Sequence, residues 1–393
     1  MKGVASIADL RQLARRRIPR ALFDYADGGS YDEITLRRNR ADLDAIQLRP
    51  RVLVDLGSIS VTTTVLGEDW SIPIAIAPTG LAGLFYGNGE IHGARAAEAF
   101  GIPFCLSTMS ICSIEDVRAA VKKPFWFQVY LMRDHGFNAE LIERARGAGC
   151  SALVLTVDVP VLAHRRRDTR NGLTIPPRLT FRTAMDLATK PAWALSMLMA
   201  GRWTFGNLGT RLRSASKLTT LAQWTAAQFD PTVSWKDAEW IRRRWPGKIV
   251  LKGILDPDDA RRACEAGMDA IIVSNHGGRQ LDGACSTISA LPEVVDAVQG
   301  RCEVLFDGGI QSGQDVLKAL ALGARGCLIG KGFLYSLAAR GETGVTLALQ
   351  ILREELLSSL GLMGCPNIRA VTPRVLRSVE PADPITGQPH AIR

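Results

Sequence analysis

The chain has little that suits a secreted, membrane-spanning or disordered protein. Its eight cysteines include no C-x-x-C pair, which argues against a zinc site or a disulfide framework and favours reduced thiols in a cytoplasmic compartment. No secretory signal is visible, and no run reaches the roughly 18 apolar residues that a membrane span requires. Charged residues make up 22% and hydrophobic residues 47% of the 393 positions, so we expect a globular protein with a large core.

The charge balance is basic, with 48 Lys and Arg residues against 39 Asp and Glu residues and a net charge of +9. A basic surface attracts nucleic acid, anionic lipid or acidic substrates, but it says nothing about the fold. The basic residues are dispersed and are not interleaved with aromatic residues on one element. We therefore expect no nucleic-acid partner.

Eight continuous apolar runs recur along the chain, as expected for strands that are buried on both faces. They are Ile72–Pro78, Pro103–Ser107, Phe125–Tyr130, Ala152–Asp158, Lys248–Gly253, Ala270–Asn275, Glu303–Gly309 and Cys327–Lys331. Helical patterns lie between them at Ile114–Val121, Ala139–Ala148, Pro257–Ala266, Leu291–Val298 and Gly313–Leu322. Eight strand–helix units in series predict an α/β fold, the (β/α)8 TIM barrel, which takes roughly 250 residues.

The residues beyond the needs of a barrel fall in two places. An N-terminal helical extension precedes Ile72, and the stretch from Val159 to Gly247 is too long for one connection. Within it we interpret 177–230 as a lid or docking insertion and Trp235–Trp245 as the helix before the fifth strand. We expect residues 1–393 to form one domain, with barrel strands at about 72–332.

Polar residues or glycines follow all eight runs, at the end of the barrel where such folds carry their chemistry. They are Pro78–Gly80, Ser107–Thr108, Gln128 with Tyr130, Thr156 with Asp158, Lys252–Gly253, Ser274–Arg279, Asp307–Gly309 and Gly330–Lys331. Taken singly, several have a structural explanation, but their joint placement favours an active site. Glycine turns after the last two runs predict a phosphate site. His276 lies in a glycine-flanked loop, and with no second His or Cys at ligand spacing we expect no metal there.

The segment Ser274–Gly283 (SNHGGRQLDG) resembles the FMN-dependent α-hydroxy-acid dehydrogenases and oxidases, which include L-lactate dehydrogenase, glycolate oxidase and mandelate dehydrogenase. The resemblance extends from about Ile18 to about Leu360. Its other motifs are APTG at Ala77–Gly80, FQVY at Phe127–Tyr130, LTVDVP at Leu155–Pro160, FDGG at Phe306–Gly309 and DVLKALALGA at Asp315–Ala324. It implies FMN as cofactor and oxidation of an L-2-hydroxy acid, by default L-lactate to pyruvate.

The resemblance implies roles for the matching residues. Arg165 and Arg279 would hold the substrate carboxylate, and Tyr25 and Tyr130 would donate hydrogen bonds to the substrate. His276 would be the general base, whether the proton comes from the hydroxyl or from the α-carbon. Asp158 would stabilise the imidazolium, and Lys252 would stabilise the anionic flavin. The residues expected around the cofactor are Pro78, Thr79, Gly80, Ser107, Gln128, Thr156, Lys252, Ser274, Asp307, Gly308, Gly309, Gln311, Gly330 and Lys331.

Two positions depart from the family pattern, which usually has arginines at both places to pair the FMN phosphate. Here they are Gln311 and Lys331, so one guanidinium is lost and another is replaced by a point charge. Because the glycine backbone remains, we expect FMN still to bind, but more weakly than with the two arginines. The other interpretation is a copy of the enzyme that has drifted toward a poor holoenzyme.

Other residues indicate the electron acceptor, the position of the substrate and contact with a membrane. Gly80 matches the dehydrogenase form of its motif, which implies an acceptor other than oxygen, such as a membrane quinone. Met109 is expected to face the substrate. The stretch 190–211, basic at Lys190, Arg202 and Arg211, occupies the place where membrane-associated members dock on the inner face of the membrane; a lid helix packed on the barrel explains it equally well. The resemblance also implies a homotetramer.

Other functions stay open from the residues alone. Within the family, the alternatives are a mandelate-like or long-chain 2-hydroxy-acid dehydrogenase and an oxygen-using oxidase. In a different class, a phosphate-binding barrel lyase would use Lys252 to form a Schiff base. The third alternative is a non-catalytic barrel that binds RNA or lipid through its basic face.

Overall fold

The computed structural model describes residues 3–171, 185–186, 188–208 and 228–377. Its ten strands are β1 (Thr63–Val65), β2 (Glu68–Trp70), β3 (Ile74–Ile76), β4 (Cys105–Ser107), β5 (Trp126–Val129), β6 (Ala152–Thr156), β7 (Lys248–Ile254), β8 (Ala270–Val273), β9 (Glu303–Phe306) and β10 (Gly326–Ile329). Strands β3 to β10 form one parallel sheet. A parallel bridge between Ile76 and Phe104 joins its two ends, which confirms the predicted TIM barrel.

Helices surround this barrel. In chain order they are α1 (Ile7–Arg17), α2 (Arg20–Asp27), α3 (Ile34–Ala45), α4 (Ala82–Phe85), α5 (Gly89–Phe100), α6 (Ile114–Ala120), α7 (His135–Gly147), α8 (Arg166–Asn171), α9 (Pro191–Ala200), α10 (Trp235–Arg244), α11 (Pro257–Glu265), α12 (Thr287–Val298), α13 (Gly313–Ala321) and α14 (Lys331–Leu362). The predicted N-terminal extension supplies α1 to α3, and α1 packs along α14.

The strands bury both faces, as their unbroken apolar runs predict. On β6, Ala152 and Val154 belong to the cluster inside the barrel. Leu153 and Leu155 belong to the larger cluster between the strands and the helices. The two clusters together form the core that holds the strand ends, and thus the residues after them, in place.

The hairpin of β1 and β2 closes the N-terminal end of the barrel, a feature that the sequence analysis did not predict. Trp70 on β2 is buried, and its ring centroid lies 5.7 Å from that of Trp126. A Cβ at Gly326 would lie 2.9 Å from the Trp70 ring, so a larger residue here would force the ring to shift. The cavity described below is at the opposite end.

Most predicted element positions are confirmed, but several ends were wrong. Helix α7 begins at His135 and α12 at Thr287, about one turn before the predicted starts, because Asp134 and Ser286 act as N-caps. The predicted run Cys327–Lys331 passes the end of its strand: β10 ends at Ile329, and Lys331 is the first residue of α14.

The predicted insertion 177–230 is described only in part, since 172–184, 187 and 209–227, including Arg211, lie outside the described residues. Helix α9 within it is attached to the barrel side: Trp193 Nε1 donates to the carbonyl of Leu84 at 2.8 Å, and Gly87 N donates to Ser196 Oγ at 2.9 Å. Its other face exposes Leu198 and Met199. Among the described helices, none is long and apolar enough to span a membrane.

The fold makes a direct prediction for the layer between strands and helices. Replacing the fully buried Leu153 by Ala should lower the free energy of unfolding by about 2–5 kcal/mol, because it removes buried methyl groups and leaves a cavity. Urea denaturation followed by circular dichroism measures this difference. The control is Leu198→Ala at an exposed position, which should change stability by no more than about 0.5 kcal/mol. Equal losses in the two variants would contradict the assigned core.

Candidate active site

A cavity of about 600 Å³ opens at the C-terminal ends of the barrel strands. Most of the predicted site residues line it: Tyr25, Pro78, Thr79, Gly80, Ser107, Met109, Tyr130, Thr156, Arg165, Lys252, His276, Arg279, Asp307, Gly308, Gly309, Gln311, Gly330 and Lys331. Gln128, Asp158 and Ser274 do not line the cavity, but each is hydrogen-bonded to a residue that does.

The imidazole of His276 is held by Asp158, with 2.9 Å between Nδ1 and Oδ1. Burial lowers the pKa of His276 below its usual 6.5, although Asp158 opposes this shift. Burial acts to raise the pKa of Asp158, but His276 outweighs it and the net shift is downward. An ionised carboxylate only accepts, so the hydrogen lies on Nδ1 and the lone pair on Nε2. At neutral pH this side chain can therefore accept a proton.

Glycines make this pair sterically feasible. A Cβ at Gly253 would lie 2.6 Å from the Cβ of Asp158, and one at Gly278 would lie 2.6 Å from the Cα of Leu36 on α3. His276 itself has a φ of +58°, a conformation that non-glycine residues rarely adopt. Strained residues of this kind concentrate at functional sites.

Two guanidiniums share the same side of the cavity. Burial and the neighbouring charge of Arg279 lower the pKa of Arg165. Arg279 lies 4.6 Å over the ring of Tyr25 and donates to the main-chain oxygens of Tyr25 and Gly28. Asp168 also lines the cavity, and burial raises the pKa of its carboxyl although the charges of Arg279 and Arg165 oppose this shift. The arrangement is suited to binding an anion between the two arginines.

Lys252 is buried and charged. Its Nζ lies 2.8 Å from Oδ2 of Asp307 and donates to Ser274 Oγ at 2.6 Å. Burial acts to lower its pKa, but the charges of Asp307 and Asp158 raise it above the usual value. Formation of a Schiff base requires a neutral amine, so the lyase alternative is disfavoured.

Several buried polar atoms around the cavity have no partner within the protein. They are Gln128 Nε2 on β5, Thr156 Oγ1 on β6 and Asp307 Oδ1 after β9. Buried polar groups are nearly always hydrogen-bonded, so these atoms favour a bound ring with polar edges. Such an arrangement suits the flavin of FMN.

The opposite part of the cavity suits a phosphate. Gly308 and Gly309 line the cavity with φ values of +102° and +98°, and successive main-chain amides in such a turn can form an anion site. Lys331 begins α14 beside this turn, where a helix N-terminus favours an anion. Burial and the charge of Arg279 lower the pKa of Lys331 to about 7.

Comparison with known proteins identifies the family of this chain. The sequence model of the FMN-dependent dehydrogenase family matches residues 14–378. The chain belongs to this family. It is therefore an FMN-dependent oxidoreductase, and the orphaned polar atoms and the glycine turn described above agree with that cofactor.

Curated relatives and solved structures point to two substrates. The chain is 48% identical to the L-lactate dehydrogenase of Caulobacter vibrioides (strain NA1000 / CB15N) over 95% of this chain and 97% of that protein. It is 46% identical to the L-lactate dehydrogenase of Caulobacter sp. (strain K31) over 96% of this chain and 99% of that protein. The monotopic membrane protein (S)-mandelate dehydrogenase is similar in structure, with a TM-score of 0.90, 37% identity and coverage of 96% and 100%. Mandelate oxidase bound to (S)-4-hydroxymandelic acid is also similar, with a TM-score of 0.84 and 40% identity. The match covers 95% of this chain and 98% of that chain.

The sequence analysis missed several residues of the cavity wall. Among them are Asp168 on α8, Arg40 on α3, and Phe205 and Phe229 in the insertion. The ring of Phe229 lies 5.0 Å from that of Tyr130. Arg40 donates to the carbonyl of Gly309 at 2.9 Å. None of these residues follows a barrel strand, so the pattern of strand ends gave no signal for them.

The contact between Asp158 and His276 yields a pH prediction. Asp158→Asn should lower kcat/KM by about 10²–10⁴, because the imidazolium that forms loses its counter-charge. Since a neutral base is required, activity falls as the pH drops through the pKa of His276. Asp158 raises that pKa, so the variant's acid limb should move to lower pH.

The measurement is kcat/KM over roughly pH 5 to 8 with saturating FMN. Asp230→Asn, at a carboxyl that accepts hydrogen bonds from Thr232 in its local turn, is the matched control. If Asp158→Asn had the wild-type pH profile of kcat/KM, Asp158 would not act on His276.

Proposed function

We propose that the protein oxidises an L-2-hydroxy acid, with L-lactate to pyruvate as the first candidate. The observation that carries this proposal is the neutral, partly buried imidazole of His276 facing the same cavity as the guanidiniums of Arg165 and Arg279. A proton acceptor beside a carboxylate site is what a 2-hydroxy acid requires. The similarity to the Caulobacter L-lactate dehydrogenases supports lactate.

Arg165 and Arg279 bind the substrate carboxylate with their planar donor groups. The carboxylate lies beside two partly buried cations, where its attraction to them is stronger than in bulk water. Tyr130 keeps its hydroxyl proton, because burial and the charge of Asp158 raise its pKa well above the usual range. It donates to the substrate together with Tyr25, and the substrate is thereby oriented.

His276 Nε2 takes the proton from the substrate, and Asp158 stabilises the resulting imidazolium. Bound FMN would supply the acceptor for the two electrons and the second proton that the substrate loses. Ser107, Gln128 and Thr156 would hold its ring, and the Gly308–Gly309 turn with Gln311 and Lys331 would hold its phosphate. Lys252 would supply positive charge to stabilise the reduced ring.

Larger 2-hydroxy acids such as mandelate are the second candidate. Apolar side chains line the cavity beside the arginines, namely Met109, Val159, Leu162, Phe205 and Phe229. Methionine adapts its shape readily, and an aromatic ring of the substrate would pack on the two phenylalanines. The likeness to (S)-mandelate dehydrogenase supports this substrate class.

The proposal is tested with the visible spectrum of the purified protein under anaerobic conditions. We expect a flavin band that bleaches with L-lactate and does not bleach with D-lactate; bleaching rates with (S)-mandelate rank the two substrates. His276→Gln should keep the band and lose the bleaching. Failure to bind flavin even after reconstitution, or a band that no 2-hydroxy acid bleaches, would contradict the proposal.

We further propose that the electrons pass to a quinone. Gly80 has the form found in the family's dehydrogenases, and a Cβ there would lie 3.3 Å from that of Met109 and 3.6 Å from the hydroxyl of Tyr25. Return of the flavin band should be faster with a soluble quinone than with oxygen. Faster recovery with oxygen would identify an oxidase instead.

A quinone acceptor fits with contact at a membrane surface, which we propose for α9 and its flanks in 190–211. Leu195, Leu198 and Met199 are exposed on this helix, at 58%, 74% and 79% of their surface. Basic residues adjoin it, because Lys190 Nζ donates to the carbonyl of Arg16 within the Arg15–Arg17 cluster. Apolar residues bordered by cations suit a bilayer with anionic lipids.

This contact is tested by cosedimentation with phosphatidylglycerol vesicles. The wild-type protein should sediment with them, and the double variant Leu198→Glu/Met199→Glu should remain in the supernatant, because burying the new charges in the bilayer is unfavourable. Vesicles of phosphatidylcholine alone should retain less of the wild type. Equal sedimentation of both proteins would exclude α9 as the contact.

A further inference from the structure

The last turn of α2 is a junction of several helices, and Asp27 is at its centre. Its side chain is buried, with 8% of the residue exposed. Oδ1 accepts from Arg11 Nε at 2.5 Å and from the hydroxyl of Tyr335 at 2.8 Å. Oδ2 accepts from Arg11 Nη2 at 2.9 Å and from Arg167 Nη1 at 3.0 Å. One carboxylate thus joins α2 to α1, α8 and α14.

The main chain of the same turn faces the cavity. The carbonyl oxygens of Asp27 and Gly28 accept hydrogen bonds from Lys331 Nζ at 2.8 and 3.0 Å. Arg279 donates to the carbonyl of Gly28 at 3.2 Å and also to that of Tyr25. The turn therefore restrains both the lysine next to the proposed phosphate site and an arginine of the proposed carboxylate site.

These bonds limit where the two cations can point. An ammonium has three donors, so Lys331 keeps one donor for a ligand after its two bonds to the main chain. Arg279 commits Nη1 to the main chain and keeps Nη2 and Nε. The direction of the remaining donors is therefore set by the position of the carbonyls of the turn.

We propose that Asp27 is a positioning residue that fixes this turn and thereby directs Lys331 to the cofactor phosphate and Arg279 to the substrate carboxylate. It touches neither substrate nor cofactor and acts through the main chain. The inference rests on the proposed roles of Arg279 and Lys331. By this proposal a single carboxylate outside the cavity supports the binding of both the cofactor and the substrate.

The surroundings leave the turn little freedom to compensate for a loss of Asp27. A Cβ at Gly29 would lie 2.6 Å from the carbonyl of Gly278, the oxygen to which Ser30 N donates at 3.0 Å. The turn is thus packed against the loop that carries His276 and Arg279. Burial opposes ionisation of Asp27, but the bonds from Arg11 and Tyr335 lower its pKa to about 2, so its charge persists at neutral pH.

The test compares Asp27→Asn, Tyr335→Phe and a control on the same helix. The amide of Asn cannot satisfy the two arginines, whereas Tyr335→Phe removes one hydrogen bond and keeps the charge. The control is Asp24→Asn: Asp24 is also on α2 and bonds Arg20 and Asn171, and its ion pair with Arg167 is long, at 4.0 Å. For each protein, the measurements are the FMN dissociation constant of the apoprotein, KM and kcat for L-lactate at saturating FMN, and the melting temperature.

We expect Asp27→Asn to raise both the FMN dissociation constant and KM by about 10-fold or more, the scale of a lost charge-assisted hydrogen bond. The value of kcat should stay within about threefold, because the pair of His276 and Asp158 is intact. Tyr335→Phe should raise both constants by a smaller factor, and Asp24→Asn should raise neither.

A purely structural Asp27 would lower the melting temperature and leave both constants at wild-type values, which would overturn the proposal. A rise in only one constant would equally overturn the link between the two sites. If Asp27→Asn does not fold, Tyr335→Phe decides, and unchanged constants there count against the proposal. Wild-type protein that oxidises no 2-hydroxy acid would refute the proposed function instead, and FMN dissociation, measured without turnover, would still test the action on Lys331.

Discussion

Besides Arg40, which is paired with Asp44 and Asp315, four cations border one cavity, and the repulsion among these four governs the rest of the site. Arg165, Lys252, Arg279 and Lys331 come from different parts of the chain, and charges that lie close together away from water interact strongly. The pKa values of Arg165 and Lys331 are lowered, first by burial and then by the charge of Arg279. Such a cluster is stable only where acids or a bound anion balance it.

The acidic residues around the cavity pair with some of these cations and leave others available to bind an anion. Asp307 forms an ion pair with Lys252, and the charge of Asp158 also raises the pKa of this lysine, so the charge of Lys252 is balanced within the protein. Asp27 is paired with Arg11 and Arg167 outside the cavity, but its charge also acts on Lys331, and the charge of Asp168 acts on Arg165. These acids offset the two cations only in part, since the net pKa shift of Arg165, next to Arg279, and that of Lys331 are both downward. A substrate carboxylate and a cofactor phosphate are the two anions that these places suit.

The barrel was predictable from sequence because parallel strands buried on both faces appear as unbroken apolar runs, and the residues after them share one rim. The roles of His276, Arg165 and Lys252 came from resemblance to a family, since spacing alone does not distinguish a base from a structural histidine. The starts of α7 and α12 were wrong because the caps Asp134 and Ser286 lie beyond the apolar pattern. The Trp70 hairpin and the Asp27 junction were missed because their contacts join segments far apart in sequence, which no local period records.

The departure at Lys331 has a consequence for the phosphate site. An arginine at this position would stay charged at every relevant pH, but burial and Arg279 lower the pKa of Lys331 to about 7. A bound phosphate favours the protonated amine and so raises that pKa again, which means that binding takes up a proton. By this linkage, affinity for the phosphate decreases as the pH rises above the pKa of the free protein. The main-chain carbonyls of Asp27 and Gly28 favour the same protonated form, so the junction that directs the lysine also helps to keep it charged.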